Sequence, residues 1–138
     1  MKKKFRGYIS SRECLGTFFP QRVQNIVIRD FCNINNLDYL LSSAEYSMNN
    51  SYFVFKEIIK SIKNIDGIVA FSIFQLPEDL KNRIKLLNLV INKKKHIFFA
   101  LERISVKKKN DFKRVNEIWM IRKSIKENKR PWTSNIEQ

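Results

Sequence analysis

Residues 68–74 read Ile-Val-Ala-Phe-Ser-Ile-Phe, an apolar run interrupted by one serine. A strand with one wet face alternates apolar and polar residues. A run this continuous, entered through Asp66-Gly67 and stopped by Pro77, is the pattern of a central parallel strand covered on both faces. Parallel neighbours need crossover connections, and helical stripes flank the run on either side.

Phe5 to Ser10 forms a first strand. Pro20 suits the first turn of a helix whose stripe is Val23, Val27, Phe31 and Ile34, ended by Asn35-Asn36. Leu37 to Leu41 is a second strand, and Ser51 is placed to cap a helix with the face Phe55, Ile58, Ile59 and Ile62. After the central strand, Glu78 or Asp79 opens a third helix along Leu80, Ile84, Leu87 and Ile91, which Lys93-Lys94-Lys95 closes. His96 to Leu101 is the fourth strand. A last helix runs from about Asp111 to Glu127 with Phe112, Val115, Ile118, Trp119 and Arg122 along it. The expected fold is a single three-layer α/β domain over 1–127, with a four-stranded, mainly parallel sheet, helices on both faces and a polar tail over 128–138.

The 138 residues hold one core and no internal repeat. No apolar run reaches the roughly 18–20 residues that span a bilayer. Met1-Lys2-Lys3-Lys4-Phe5 lacks the apolar stretch of a signal peptide, so a cytoplasmic chain is expected. Net charge is +14, which raises nucleic acid as a partner. Ile, Lys, Asn and Phe, all with A/T-rich codons, supply 61 of the 138 residues, so codon bias explains the charge better and nucleic acid is the less favoured partner. Cys14, in a loop, and Cys32, on an apolar helix face, have no CxxC spacing, and His96 is the sole histidine, so neither a metal nor a cofactor is expected.

Ligands of such sheets gather beyond the carboxyl ends of the strands. Those ends carry Ser10-Ser11-Arg12, Ser42-Ser43-Ala44-Glu45, Ser72 with Gln75, and Glu102-Arg103. From them comes a candidate site with Ser10, Ser11, Glu45 and Ser72 as catalytic groups and Arg12, Gln24, Gln75 and Glu102 as binding groups. Arg12 would hold an anionic group, and Glu45 would serve as acid or base. GxGxxG, GxxxxGK[ST] and GxSxG are all absent. The phenylalanines 53, 55, 71, 74, 98 and 99 fall on buried patterns, as core rather than a base-stacking platform. The last helix would pack on the sheet, and a second copy of the chain would associate through it.

Two resemblances follow. The order of elements, with Ser10 closing strand one, resembles the catalytic domain of serine recombinases, a resolvase-like variant of a flavodoxin-like sheet. In that family an arginine stands two residues before the nucleophilic serine, a glutamine-bearing helix follows, and a DRxxR-type motif follows strand three. Ser10 matches the serine, and Gln21 or Gln24 the glutamine. Tyr8 stands at the arginine position and 74–79 (FQLPED) contains no arginine, so the resemblance implies the fold and argues against recombination.

The segments RGYISSR (6–12), PQRVQNIVIRD (20–30), SAEYSM (43–48) and IDGIVAFSIFQLPED (65–79) resemble the sporadic carbohydrate cluster protein family. That resemblance implies a role in bacterial surface-carbohydrate biosynthesis, whether polysaccharide or lipopolysaccharide, with a sugar phosphate or nucleotide sugar at the strand ends. The alternatives are a DNA-binding resolvase-like domain without the recombinase arginines and a non-catalytic partner protein.

Overall fold

The computed structural model describes residues 2–14, 16–48 and 50–137, with side chains as far as Ile125. Strands β1 (Lys4–Ser10), β2 (Asp38–Glu45), β3 (Gly67–Ala70), β4 (His96–Phe99) and β5 (Ile104–Val106) form one sheet in the order β2-β1-β3-β4-β5. The first four are parallel. The fifth turns back antiparallel to β4, Ile97 facing Val106. This hairpin is the one departure from the expected four strands. Its three residues, Ile-Ser-Val, give too short a period for the sequence to mark it as a strand.

Four α-helices accompany the sheet: α1 (Gln21–Ile34), α2 (Phe53–Lys60), α3 (Leu80–Asn92) and α4 (Phe112–Glu137). The period-two alternation of the strands divides the core. Phe5, Ile9, Val69 and Phe71 pack under α1 with Ile28, Phe31 and Cys32. Tyr8, Ile68, Ala70, Ile97 and Phe99 pack with Phe55, Ile58, Leu86, Leu87, Phe112 and Val115 of α2, α3 and α4. Both sides of β3 are therefore covered, as its unbroken apolar run requires: all four of its residues are buried.

Two helices are rotated from their expected faces. In α1 the buried residues are Gln24, Ile28, Phe31 and Cys32, whereas Val23 and Ile34 are exposed. In α3, Leu80 is exposed and Arg83, Leu86, Leu87 and Val90 face inward. Both rotations follow from a buried polar side chain that periodicity counts as surface. Gln24 bonds strand-end backbone. Arg83 donates to the carbonyls of Pro77 and Glu78 and to Asn116 Oδ1, with Trp119 stacked on its guanidinium at 4.7 Å. Asp79 caps α3 by accepting from Asn82 N at 3.1 Å.

Further corrections concern β2, α4 and single residues. β2 runs on from Leu41 to Glu45, so Ser42 and Ser43 lie within the strand. Gly7, opposite it, leaves the space that the side chains of Ser42 and Tyr39 occupy. α4 extends past Glu127. Cys14 is buried although it lies in a loop, pairing with Thr17 through both backbone bonds across a turn in which Gly16 has φ 77°. Phe53 is exposed, not core, and packs its ring on Tyr46. Among the described residues no helix is long and apolar enough to cross a membrane.

Candidate functional site

The expected residues fall at the carboxyl ends of the strands in separate hydrogen-bonded clusters: Ser10, Gln24 and Gln75 in one, Glu45 in a second that Arg12 links to the first, and Ser72 with Glu102 in a third, while Ser11 bonds only Gln21. The central one joins β1, α1 and β3. Gln24 Nε2 donates to the carbonyls of Ser10 (2.6 Å) and Phe19 (2.8 Å), while its Oε1 accepts from Ser10 N (3.1 Å) and from Gln75 Nε2 (2.9 Å). Gln75 Oε1 in turn accepts from Phe71 N at 3.1 Å and Ser72 N at 3.4 Å. Gln24 is 1 % exposed and Gln75 6 %. A primary amide offers two donors and one carbonyl with two lone pairs, and Gln24 uses all four positions. This amide pair ties the ends of β1 and β3 to each other and to α1.

The second cluster joins β1, β2 and α2. Glu45, 4 % exposed, ends β2 and accepts five bonds. Tyr8 Oη (2.9 Å) and Phe55 N (3.2 Å) donate to Oε1; Val54 N (2.9 Å), Tyr46 N (3.2 Å) and Ser51 Oγ (3.4 Å) donate to Oε2. Val54 N and Phe55 N belong to the first turn of α2, which has no partner within its own helix. Glu45, not Ser51, therefore caps α2, and it does so with a charge that suits the positive end of the helix dipole. Burial pushes the Tyr8 hydroxyl well above its ordinary range, so it stays a donor.

Arg12 bridges the first two clusters. Its Nη1 donates to Ser51 O at 2.6 Å, and its Nη2 to Tyr8 Oη at 3.3 Å and Gln75 O at 3.4 Å. The guanidinium lies 4.3 Å over the Tyr52 ring. Tyr52 is absent from the sequence expectation, and Tyr8 enters it only as the residue at the arginine position. As a strand-core aromatic Tyr8 carries no other signal of a hydrogen-bonding role in its spacing. Ser11 is the outermost of the group, exposed and accepting from Gln21 Nε2 at 2.9 Å.

The third cluster joins β3 to the end of β4. Ser72 Oγ donates to Glu102 Oε2 at 2.5 Å and accepts from Phe74 N, and Ile73 N donates to Glu102 Oε1 at 2.9 Å. Ser72 also lies against the Cys14 thiol, whose pKa burial pushes to about 11. Trp119 Nε1 on α4 donates to Ile73 O. Glu102, in the β4–β5 turn, does not contact Arg12, Glu45 or Gln24 through any of these bonds; its bonds tie that turn to the segment after β3.

Burial raises the Glu102 pKa above its ordinary value of 4.5. A carboxyl held high in the fold stabilises it below its unfolded pKa and loses that contribution as pH climbs through the folded value. Wild-type unfolding free energy should therefore fall more steeply than that of Glu102→Gln from about pH 4.5 upward. Urea denaturation across pH measures this, and parallel profiles would show that the carboxyl is not desolvated.

Chemically, the site is rich in partners and poor in open positions. Two residues before Ser10 stands Tyr8, which contributes a hydroxyl and no cation. The Arg12 guanidinium, two residues after Ser10, is held by two backbone carbonyls and two tyrosines.

No family model matches the chain, and no curated protein matches it. Solved structures do. The N-terminal catalytic domain of TP901-1 integrase superposes with a TM-score of 0.57 at 15% identity, covering 92% of this chain and 98% of that one. A resolvase family site-specific recombinase from Streptococcus pneumoniae gives a TM-score of 0.58 at 14% identity, covering 95% and 94%. The chain thus has the resolvase-like α/β fold over nearly its whole length.

Proposed function

We propose that this chain is a resolvase-like domain that binds duplex DNA and leaves the phosphodiester backbone uncut. The observation that carries this reading is the closure of the strand-end site. Gln24 and Glu45 have every acceptor or donor engaged, and the Arg12 guanidinium is held on Ser51 O and Gln75 O. Strand transfer needs cations aimed at a phosphoryl group, and Tyr8 stands where the recombinases place one.

Support for DNA comes from how the carboxylates are spent. Glu45, Asp66, Asp79, Glu102 and Asp111 all accept from backbone N–H groups, so five of the 13 acids stitch the fold, while all the lysines with described side chains except Lys95 are exposed. Charge of that kind binds phosphate by releasing counterions, and log K falls linearly with log salt. The test is duplex binding across a salt series, with the same samples assayed for nicking and for covalent protein–DNA adducts. Retained binding at about 150 mM salt with no adduct is expected. An adduct that Ser10→Ala abolishes, or no binding at that salt, would overturn the reading.

The carbohydrate reading is the second possibility, and the resemblance to the surface-carbohydrate family is its support. It makes Arg12, Gln24, Gln75 and Glu102 the ligands of a sugar phosphate or nucleotide sugar and Ser10, Ser11, Glu45 and Ser72 the reacting groups. It requires the Arg12 guanidinium to leave its two carbonyls for the ligand. Binding of a nucleotide sugar that Arg12→Ala removes would favour it over DNA. In either reading a second copy would pack along α4, where Met120, Ile121 and Ile125 are exposed.

A further inference from the structure

Three lysine triplets, far apart in sequence, end at one edge of the sheet. Lys2-Lys3-Lys4 leads into β1, Lys93-Lys94-Lys95 joins α3 to β4, and Lys107-Lys108-Lys109 follows β5. The register explains why they meet. Phe5 pairs with Gly67, and Gly67 with His96, so β1, β3 and β4 start level. β5 runs the other way and finishes level with them, Val106 facing Ile97. The antiparallel hairpin is thus what brings the third triplet to the amino edge; a fifth parallel strand would have carried it to the opposite end.

Three interstrand steps of about 4.8 Å put Lys4 and Lys107 roughly 14 Å apart. One strand of a duplex advances about 3.4 Å per phosphate, so that span faces about four phosphates. Lys2, Lys3, Lys4, Lys93, Lys94, Lys107, Lys108 and Lys109 are exposed, and exposed Asn35, Asn36, Asn92 and Asn110 stand among them. Of the acids nearby, Asp66 is bonded to Lys4 N, and Asp111 to Lys107 N and Lys108 N. Asp38 and Asp30 are the others. The edge continues onto the α1 face as a groove of about 650 Å³, rimmed by Lys3, His96, Arg103 and Lys107 over Phe98.

We propose that this amino edge is the face on which the phosphate backbone of duplex DNA lies, at the end of the sheet opposite the strand-end site. The inference rests on the DNA-binding reading and adds the surface. Lysine suits it: an ammonium is a point charge that meets any phosphate, without the planar fork that reads a base edge. Binding here is sequence-independent, and it leaves the strand-end cluster out of contact.

The experiment compares two variants of equal charge in the whole chain. One is Lys3→Gln with Lys93→Gln, Lys107→Gln and Lys109→Gln. The other is Lys56→Gln with Lys81→Gln, Lys85→Gln and Lys123→Gln, exposed lysines of α2, α3 and α4. Binding to a short duplex of mixed sequence is followed by anisotropy across a salt series. With about 0.9 of slope per phosphate contact, the edge variant should lose a log–log slope of roughly 3 to 4 and on the order of 10²-fold affinity at 0.15 M salt. The second variant should lose far less.

His96, the sole histidine, gives an independent readout on the unmodified protein. Burial and then Lys3 and Lys107 hold its pKa below 6.5, with Asp66 and Asp111 opposing them. Saturating duplex should neutralise those lysines and raise the imidazole pKa, seen by proton NMR. Equal losses in the two variants with an unmoved His96 would overturn the face and leave DNA binding intact. Absence of duplex binding by the parent chain overturns both. Binding to phosphatidylserine vesicles that the edge variant alone loses, without duplex binding, would assign the edge to a membrane and overturn the proposal.

Discussion

Glu45→Ala should lower the unfolding free energy by about 3–5 kcal/mol, a loss on the scale of breaking a buried charged network. The carboxylate is 4 % exposed, and two of its five donors are backbone N–H groups of α2 that no other side chain reaches. Removing it strands those groups and the Tyr8 hydroxyl, each at about 1–3 kcal/mol, partly recovered by water entering the gap. Glu45→Gln keeps two acceptor lone pairs but aims an amide N–H₂ at N–H donors, so a loss of about 2 kcal/mol is expected from it. Urea denaturation monitored by circular dichroism measures both. A Glu45→Ala loss below about 1 kcal/mol would mean that the carboxylate is not built into the fold, and its assignment as an acid or base would gain ground.

The same residue shows what the sequence could and could not reveal. Its location was legible: Ser42 to Glu45 follows an apolar segment, and strand carboxyl ends are where polar groups collect. Its bonds were not. They depend on Ser51, Tyr46 and α2 folding back over it, which no local spacing encodes. Likewise β1, β3, β4 and all four helices follow from apolar periodicity, because burial sets both period and phase. The phase failed in α1 and α3, where Gln24 and Arg83 are buried against the usual rule for their residue types. β5 was missed for a related reason. It holds three residues, two of them buried, and a strand that short exists through its pairing with β4 rather than through its own pattern.

The charge can now be placed rather than only counted. A lysine excess from codon bias would scatter over the surface. Here three triplets fall at three of the five chain positions that the β2-β1-β3-β4-β5 order with one reversed strand brings to the same edge, the entries to β2 and β3 being the other two. Composition can supply lysines; the register decides that they act together. Five of the 13 acids do the reverse, entering the fold as caps and backbone acceptors.

The amide pair provides the sharpest test of the closed site. Gln24→Leu should cost about 3 kcal/mol, because it leaves Ser10 N, the Ser10 and Phe19 carbonyls and Gln75 Nε2 without their partner. Gln75→Leu should cost about 2 kcal/mol, since Phe71 N and Ser72 N lose an acceptor. The two changes share one bond, the 2.9 Å contact between the amides, and both act on the same strand-end backbone. The double variant removes donor and acceptor of that bond together, so its loss should fall short of the sum by about 1 kcal/mol. A double-mutant cycle in urea measures the coupling. If the losses add within about 0.3 kcal/mol, the two amides act separately. In that event Gln24 and Gln75 would not form one structural unit, and a ligand could displace one without disturbing the other. Coupling of the expected size instead means that opening the site for a ligand costs stability at β1, α1 and β3 at once, which is why the cluster is read as architecture.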